Sequence, residues 1–181
     1  MQFFFEVLIG GLLSGVMYSL VALGFVLIYK ASGVFNFAQG AMVFFAALTF
    51  VGITEMGVPF GFALILAFGA MILLAIATER VVLRPLVNQP QITLFMATIG
   101  LTFLIEGLAQ GMWGASVRGL EIPGIQDEPL EWMMENTGIG VSKFDLFAAG
   151  VSDVLVVVLA IFFNKTRVGR ALRAVADGHQ A

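Results

Sequence analysis

Two groups of polar side chains interrupt an otherwise apolar chain. In "GVFNFAQG", residues 33–40, the carboxamides of Asn36 and Gln39 stand three residues apart between Gly33 and Gly40. Further on, Thr98, Thr102, Glu106 and Gln110 recur every four residues within an apolar run. The first group has the form of a helix start, with Asn36 as N-cap and Gln39 completing an amide version of the capping box, while Gly33 and Gly40 permit a tight turn and close backbone packing. A helix N-terminus near lipid needs its free N–H groups satisfied, and its positive end can also face an anionic group on a permeating solute. Plain capping and a place on a transport path are both open to Asn36, Gln39 and Gly40. The second group forms one slowly drifting stripe on a helix, because residues four apart lie nearly above one another. An ionised carboxylate near the centre of a span costs about 2.5–3.5 kcal/mol on insertion scales, so Glu106 is expected to face protein or water. Hydrogen bonding between helices and a path-lining role both suit the stripe. Asp153, beside Ser152 in a later apolar run, is expected to be buried and paired.

The elements that must carry these residues belong in a bilayer. The chain has 181 residues, 60% hydrophobic and 12% charged, with mean hydropathy +1.00. A soluble domain is about 45–50% apolar and 25% charged, so the polar shell such a domain requires is missing. A net charge of -3 gives no electrostatic reason to bind nucleic acid. Cysteine is absent, which excludes disulfides and thiolate metal sites. The one histidine, His179, stands near the end of the chain, which rules out a His-rich metal site, and no pattern sets it beside a serine nucleophile. No cofactor or metal is expected, and a membrane enzyme ranks behind a transporter.

Runs close to the roughly 20 residues that cross a hydrocarbon core occupy 7–29, 37–53, 59–77, 93–113 and 144–163. Backbone groups in lipid must be satisfied within each segment, and no barrel-like alternation is present. The prediction is an all-α, polytopic transmembrane bundle of about five spans. The first run follows "MQFFFE", lacks a basic leader and is too long for a signal core, so it is retained as a span. Small residues four apart, Gly11 with Gly15 and Gly107 with Gly111, read as helix-packing positions.

Lys30 follows the first span, Arg80 and Arg84 the third, and Lys165, Arg167, Arg170 and Arg173 the fifth. By the positive-inside rule those loops are cytoplasmic and the N-terminus lies outside. Glu6, Glu55 and "RGLEIPGIQDEPLEWMMEN", whose one cation is Arg118, fall on the opposite side. In "NKTRVGRALRAVADGHQA", Val168, Leu172 and Val175 share one helical face while Arg167, Arg170 and Arg173 occupy the other. This amphipathic segment, 164–181, suits anionic lipid and a groove on a partner protein equally well.

"SGVFNFAQGAM" resembles the block that follows the first span in the permease subunits of branched-chain amino acid ABC importers, the LivH-like family. "ERVVLRPL" leading to "ATIGL", and then "TRVGRALRAVAD", are similar to two further blocks of that family in the same order. The resemblance covers the chain from about residue 8 to its end. It implies a single transmembrane permease domain over 1–181, the N-terminal and truncated part of a longer permease, in a bacterial inner membrane. It also implies partners: ABC ATPase subunits, a second permease subunit and an extracytoplasmic substrate-binding protein. Thr98 and Gly100, in "ATIGL", become pathway candidates alongside Asn36, Gln39, Gly40, Thr102 and Glu106. Arg167, Gly169, Arg170, Arg173 and Ala174 match the segment through which such permeases contact their ATPase. The chain departs from many relatives at Ala41 and Gly178, where they carry acidic residues. The substrate class implied is branched-chain amino acids or related small amides and urea. No G-x-x-x-x-G-K-[ST] loop is present, so ATP hydrolysis belongs to another subunit. The alternative from the residues alone is a channel or ion-coupled secondary transporter working through Glu106 and Asp153 without an ATPase.

Overall fold

The computed structural model describes residues 2–33, 35–86, 88–120 and 128–166, and the regular elements among them are helices. They are α1 (Gln2–Ser32), α2 (Gln39–Glu55), α3 (Phe60–Ala77), α4 (Gln91–Trp113), α5 (Glu131–Thr137) and α6 (Lys143–Lys165). Four of them, α1, α3 with its continuation, α4 and α6, are long and apolar enough to cross a bilayer, and α2 is a shorter apolar helix. At 17 residues α2 is about 25 Å long, a little less than the roughly 30 Å hydrocarbon core. The apolar runs thus become helices in the expected order.

Two elements depart from the expectation. The third helix does not stop at Ala77 but continues as a π-turn, Thr78–Leu83, and a 3-10 turn, Arg84–Leu86. The cause is Pro85: it has no N–H to offer the carbonyl four residues back, and its ring crowds that carbonyl. The ladder widens just before it, with Arg84 N–H donating to Glu79 O. The other departure is α5, seven residues within the stretch read as an acidic loop. It ends at Gly138, whose φ of 68° places it in the left-handed region and whose N–H reaches Met134 O at 3.0 Å.

The described helices form two compact units. In Val34–Leu120, α2 packs against both α3 and α4. Its core is Ala38, Ala41 and Phe45 from α2 and the residues leading into it, facing Leu101, Ile105 and Ala109 of α4. Met71, Leu74 and Val82 pack on that core from the third helix and its π-turn. Phe50 meets Phe60 edge-on at 5.2 Å between centroids, closing the hairpin of α2 and α3. In Met1–Gly33 with Glu121–Ala181, α1 packs along α6, and Ala149 and Ser152 are buried. Ser142 caps α6, its Oγ accepting from the Phe144 and Asp145 N–H groups at 3.1 and 3.4 Å. The chain before that cap is tied to itself: Leu130 N–H donates to Val141 O at 2.9 Å, and Lys143 N–H to Glu128 O at 3.0 Å.

Candidate functional site

The two polar groups of the sequence meet within one unit, at the α2–α4 pair. Asn36, Ala38 and Gln39 are buried. Asn36 Oδ1 accepts the Ala38 N–H at 3.1 Å, and Asn36 O accepts the Gln39 N–H at 3.3 Å. The carboxamide therefore closes a turn just before the helix and does not act as its N-cap: that position is Ala38, with no side-chain cap bond, and Gln39 is the first helical residue, not the third of a capping box. A short side chain bonding two residues ahead closes a tight turn first, so α2 begins at Gln39 with Ala38 before it. Gly33 has the left-handed φ of 68° expected where a helix ends, and its N–H donates to Tyr29 O at 2.8 Å. Gly40 does not serve close packing: it is exposed, and a Cβ there would meet no atom within 4 Å.

Phe37 stacks edge-on with Phe95 at 4.7 Å, which sets the junction against the start of α4. Thr98, one turn further, is fully buried and donates to Phe95 O at 2.9 Å. Thr102 is half-buried and donates to Thr98 O at 3.0 Å. Glu106 is half-buried and Gln110 exposed. Each four-residue step turns the stripe by roughly 40°, so it starts in the α2 contact and leaves it. The buried face of α4 is Thr98, Leu101, Ile105 and Ala109. Asn36, Gln39 and Thr98 thus lie at the same end of the pair, with Gly100 exposed one side of them and Glu106 further along.

Two further expectations are corrected. Gly11, Gly15, Gly107 and Gly111 would each accept a Cβ with nothing within 4 Å, so these spacings pack no helix among the described residues. The close approach occurs instead at Gly52, where a Cβ would lie 2.1 Å from Trp113 Cε3. Asp153 is exposed, while its neighbour Ser152 is buried and donates to Ala148 O at 2.8 Å. Successive helical residues point about 100° apart, and the buried face of α6 runs through Ala149 and Ser152. Arg167, Gly169, Arg170, Arg173 and Ala174 lie outside the described residues.

The Glu55 end of the pair carries contacts that no local pattern announces. Trp113 Nε1–H donates to Thr49 Oγ1 at 3.3 Å, and the indole lies over Gly52. Arg118 pairs with Glu55 and also donates to Trp113 O. Pairing 37 with 95, 49 with 113 and 55 with 118 means that α2 and α4 run parallel. Beside this clamp lies an open cavity of about 340 Å³, lined by Phe44, Leu48, Val51, Gln110, Val117 and Arg118 among others. The one hint in the sequence was Arg118, the lone cation in an acidic stretch.

A family profile described as "Branched-chain amino acid transport system / permease component" matches residues 7–181. The chain is similar to the high-affinity branched-chain amino acid transport system permease protein LivH of Escherichia coli strain K12, at 25% identity over 187 residues, 97% of this chain and 59% of LivH. LivH of Salmonella typhimurium strain LT2 is 24% identical over the same shares of each chain. The permease protein BraD of Pseudomonas aeruginosa is 25% identical over 186 residues, 96% of this chain and 59% of BraD. The chain therefore spans about three fifths of the length of these relatives, 59% in each case. No solved structure matches it. Since the matched region runs from within α1 through α6 and takes in both polar groups, the chain belongs to the family of branched-chain amino acid transport permeases.

Proposed function

We propose that this chain is part of the permease subunit of an ABC importer for branched-chain amino acids in a bacterial inner membrane, with its N-terminus outside. The observation that carries the reading is the family match over residues 7–181, which coincides with the apolar helices. In this reading Asn36, Gln39 and Thr98 sit toward the cytoplasmic end of the α2–α4 pair, and with Gly40, Gly100, Thr102 and Glu106 they border the substrate path. Buried polar groups held at a helix junction suit that role, because they can trade internal hydrogen bonds for bonds to a passing solute.

Energy reaches the path by contact. ATPase subunits act below the membrane through the segment that contains Arg167, Gly169, Arg170, Arg173 and Ala174, a second permease subunit completes the path, and a binding protein delivers substrate from outside. The test is substrate-stimulated ATP hydrolysis by the full assembly in liposomes. Arg170→Glu combined with Arg173→Glu is expected to abolish the stimulation while leaving assembly of the membrane subunits intact. Stimulation equal to the parent would remove the coupling role. Uptake that continues without ATP and collapses with the proton gradient would instead establish an ion-coupled carrier.

A further inference from the structure

We infer that the Arg118–Glu55 pair and the cavity beside it form an entry site for a zwitterionic α-amino acid with an aliphatic side chain. The inference rests on the permease reading above and adds to it where the substrate first lodges and what chemistry selects it. Phe44, Leu48 and Val51 line the cavity from one face of α2, and Glu55, one turn beyond Val51 on that face, pairs with the cavity-lining Arg118. Arg118 closes the same cavity from the segment after α4. The Arg118 side chain is 23% exposed and that of Glu55 50%, so both ions can be reached without unfolding either helix. A volume of about 340 Å³ lies at the small end of ligand pockets and accommodates one amino acid.

The selection follows from charge bookkeeping. An α-carboxylate can take the place of Glu55 on the Arg118 guanidinium, whose planar fork suits it, while the α-ammonium takes the place of Arg118 on Glu55. Both internal ions keep a counter-charge throughout, so no unpaired charge is created in a partly desolvated site. A solute with only one of the two charges would strand either Arg118 or Glu55. Urea and neutral amides offer neither charge and leave the pair closed. The aliphatic side chain then lies against Phe44, Leu48 and Val51, which fixes a preference for leucine, isoleucine and valine over polar amino acids.

The experiment is calorimetric binding of L-leucine, leucinamide and 4-methylpentanoate to the full chain in lipid nanodiscs, with melting temperature recorded for each variant. The parent is expected to bind leucine at least about tenfold more tightly than either analogue. Arg118→Gln should erase the preference over leucinamide, which lacks the carboxylate, and Glu55→Gln the preference over 4-methylpentanoate, which lacks the ammonium. A merely structural ion pair would weaken all three ligands alike. Ala47→Phe, an exposed position on the cavity wall that leaves the pair intact, should weaken leucine binding by a similar factor at an unchanged melting temperature. Failure of the parent to bind leucine, unaltered analogue preferences in both Gln variants, or parent-like leucine binding by Ala47→Phe would each overturn the inference. ATP-driven leucine uptake by the complete importer separates this outcome from the permease reading: uptake preserved in Ala47→Phe sinks only the entry site, whereas no uptake by the parent sinks the permease.

Discussion

Gly52 is held to its identity by the indole of Trp113, which occupies the space a side chain would need. Replacing it with alanine forces the ring or the helix aside, a kind of overpacking that costs about 1–3 kcal/mol. Gly52→Ala is therefore expected to lower the melting temperature in detergent clearly. Gly40→Ala is the matched control, since its Cβ enters open space. In a helix it should be neutral or stabilising by about 0.5–1 kcal/mol, yet reduce leucine uptake because the methyl group narrows the proposed path. Parent-like uptake in Gly40→Ala would take that residue off the path. The contrast also marks how far single residues were legible. Asn36 announced itself because side-chain bonding to nearby backbone is local chemistry, two residues from the N–H that donates to it. Gly52 did not, because its constraint is a ring far away in sequence, and the four-residue glycine spacings that looked like packing sites meet no neighbour among the described residues. Asp153 failed for a related reason: periodicity shows that a residue lies on a helix, but only the neighbouring helix decides which face is covered.

Element lengths were the most legible feature, because lipid demands about the same apolar run from every span and leaves few other ways to satisfy the backbone. Terminations were less so. The third run was read as ending at 77, and the wide turn beyond it depends on how the ladder relaxes around the donor missing at Pro85. That turn sits where Val82 packs on the α2–α4 core and Thr78 is buried, next to the exposed Arg80 and Arg84. Pro85→Ala restores the N–H and removes the ring, so the segment should rewind as regular helix. Amide hydrogen exchange over 78–86, followed by mass spectrometry, is expected to slow in the variant; unchanged exchange would mean that the π-turn has another cause. α5 lay below what sequence could specify, since seven residues contain less than two full turns beyond a cap, and its end at Gly138 becomes evident only once the left-handed φ is seen.

For the whole molecule, the distribution of Lys and Arg supports the proposed sense of insertion. Lys30 and Lys165 stand in the last turns of α1 and α6, and Arg80 and Arg84 in the turns that continue α3; in the proposed topology all four are cytoplasmic. The proposed outer side carries two described cations, Arg118, paired with Glu55, and Lys143, 3.6 Å from Glu128, against four on the proposed cytoplasmic side. Orientation follows the number of Lys and Arg residues, with acidic neighbours counting for little, so that excess is what supports the proposed sense of insertion. Because the chain has no cysteine, one introduced thiol at a time reports its side without background. Glu135→Cys, at an exposed position in α5, is expected to react with a membrane-impermeant maleimide in intact cells. Arg80→Cys, exposed in the π-turn, is expected to react only after the membrane is opened. The reverse result would turn the bundle over, moving the Asn36 junction outward and the Arg118–Glu55 cavity to the cytoplasmic face, so that both the delivery route and the coupling segment would have to be reassigned. Labelling of both positions in intact cells would mean that α4, the one apolar helix between Arg80 and Glu135, does not cross the membrane.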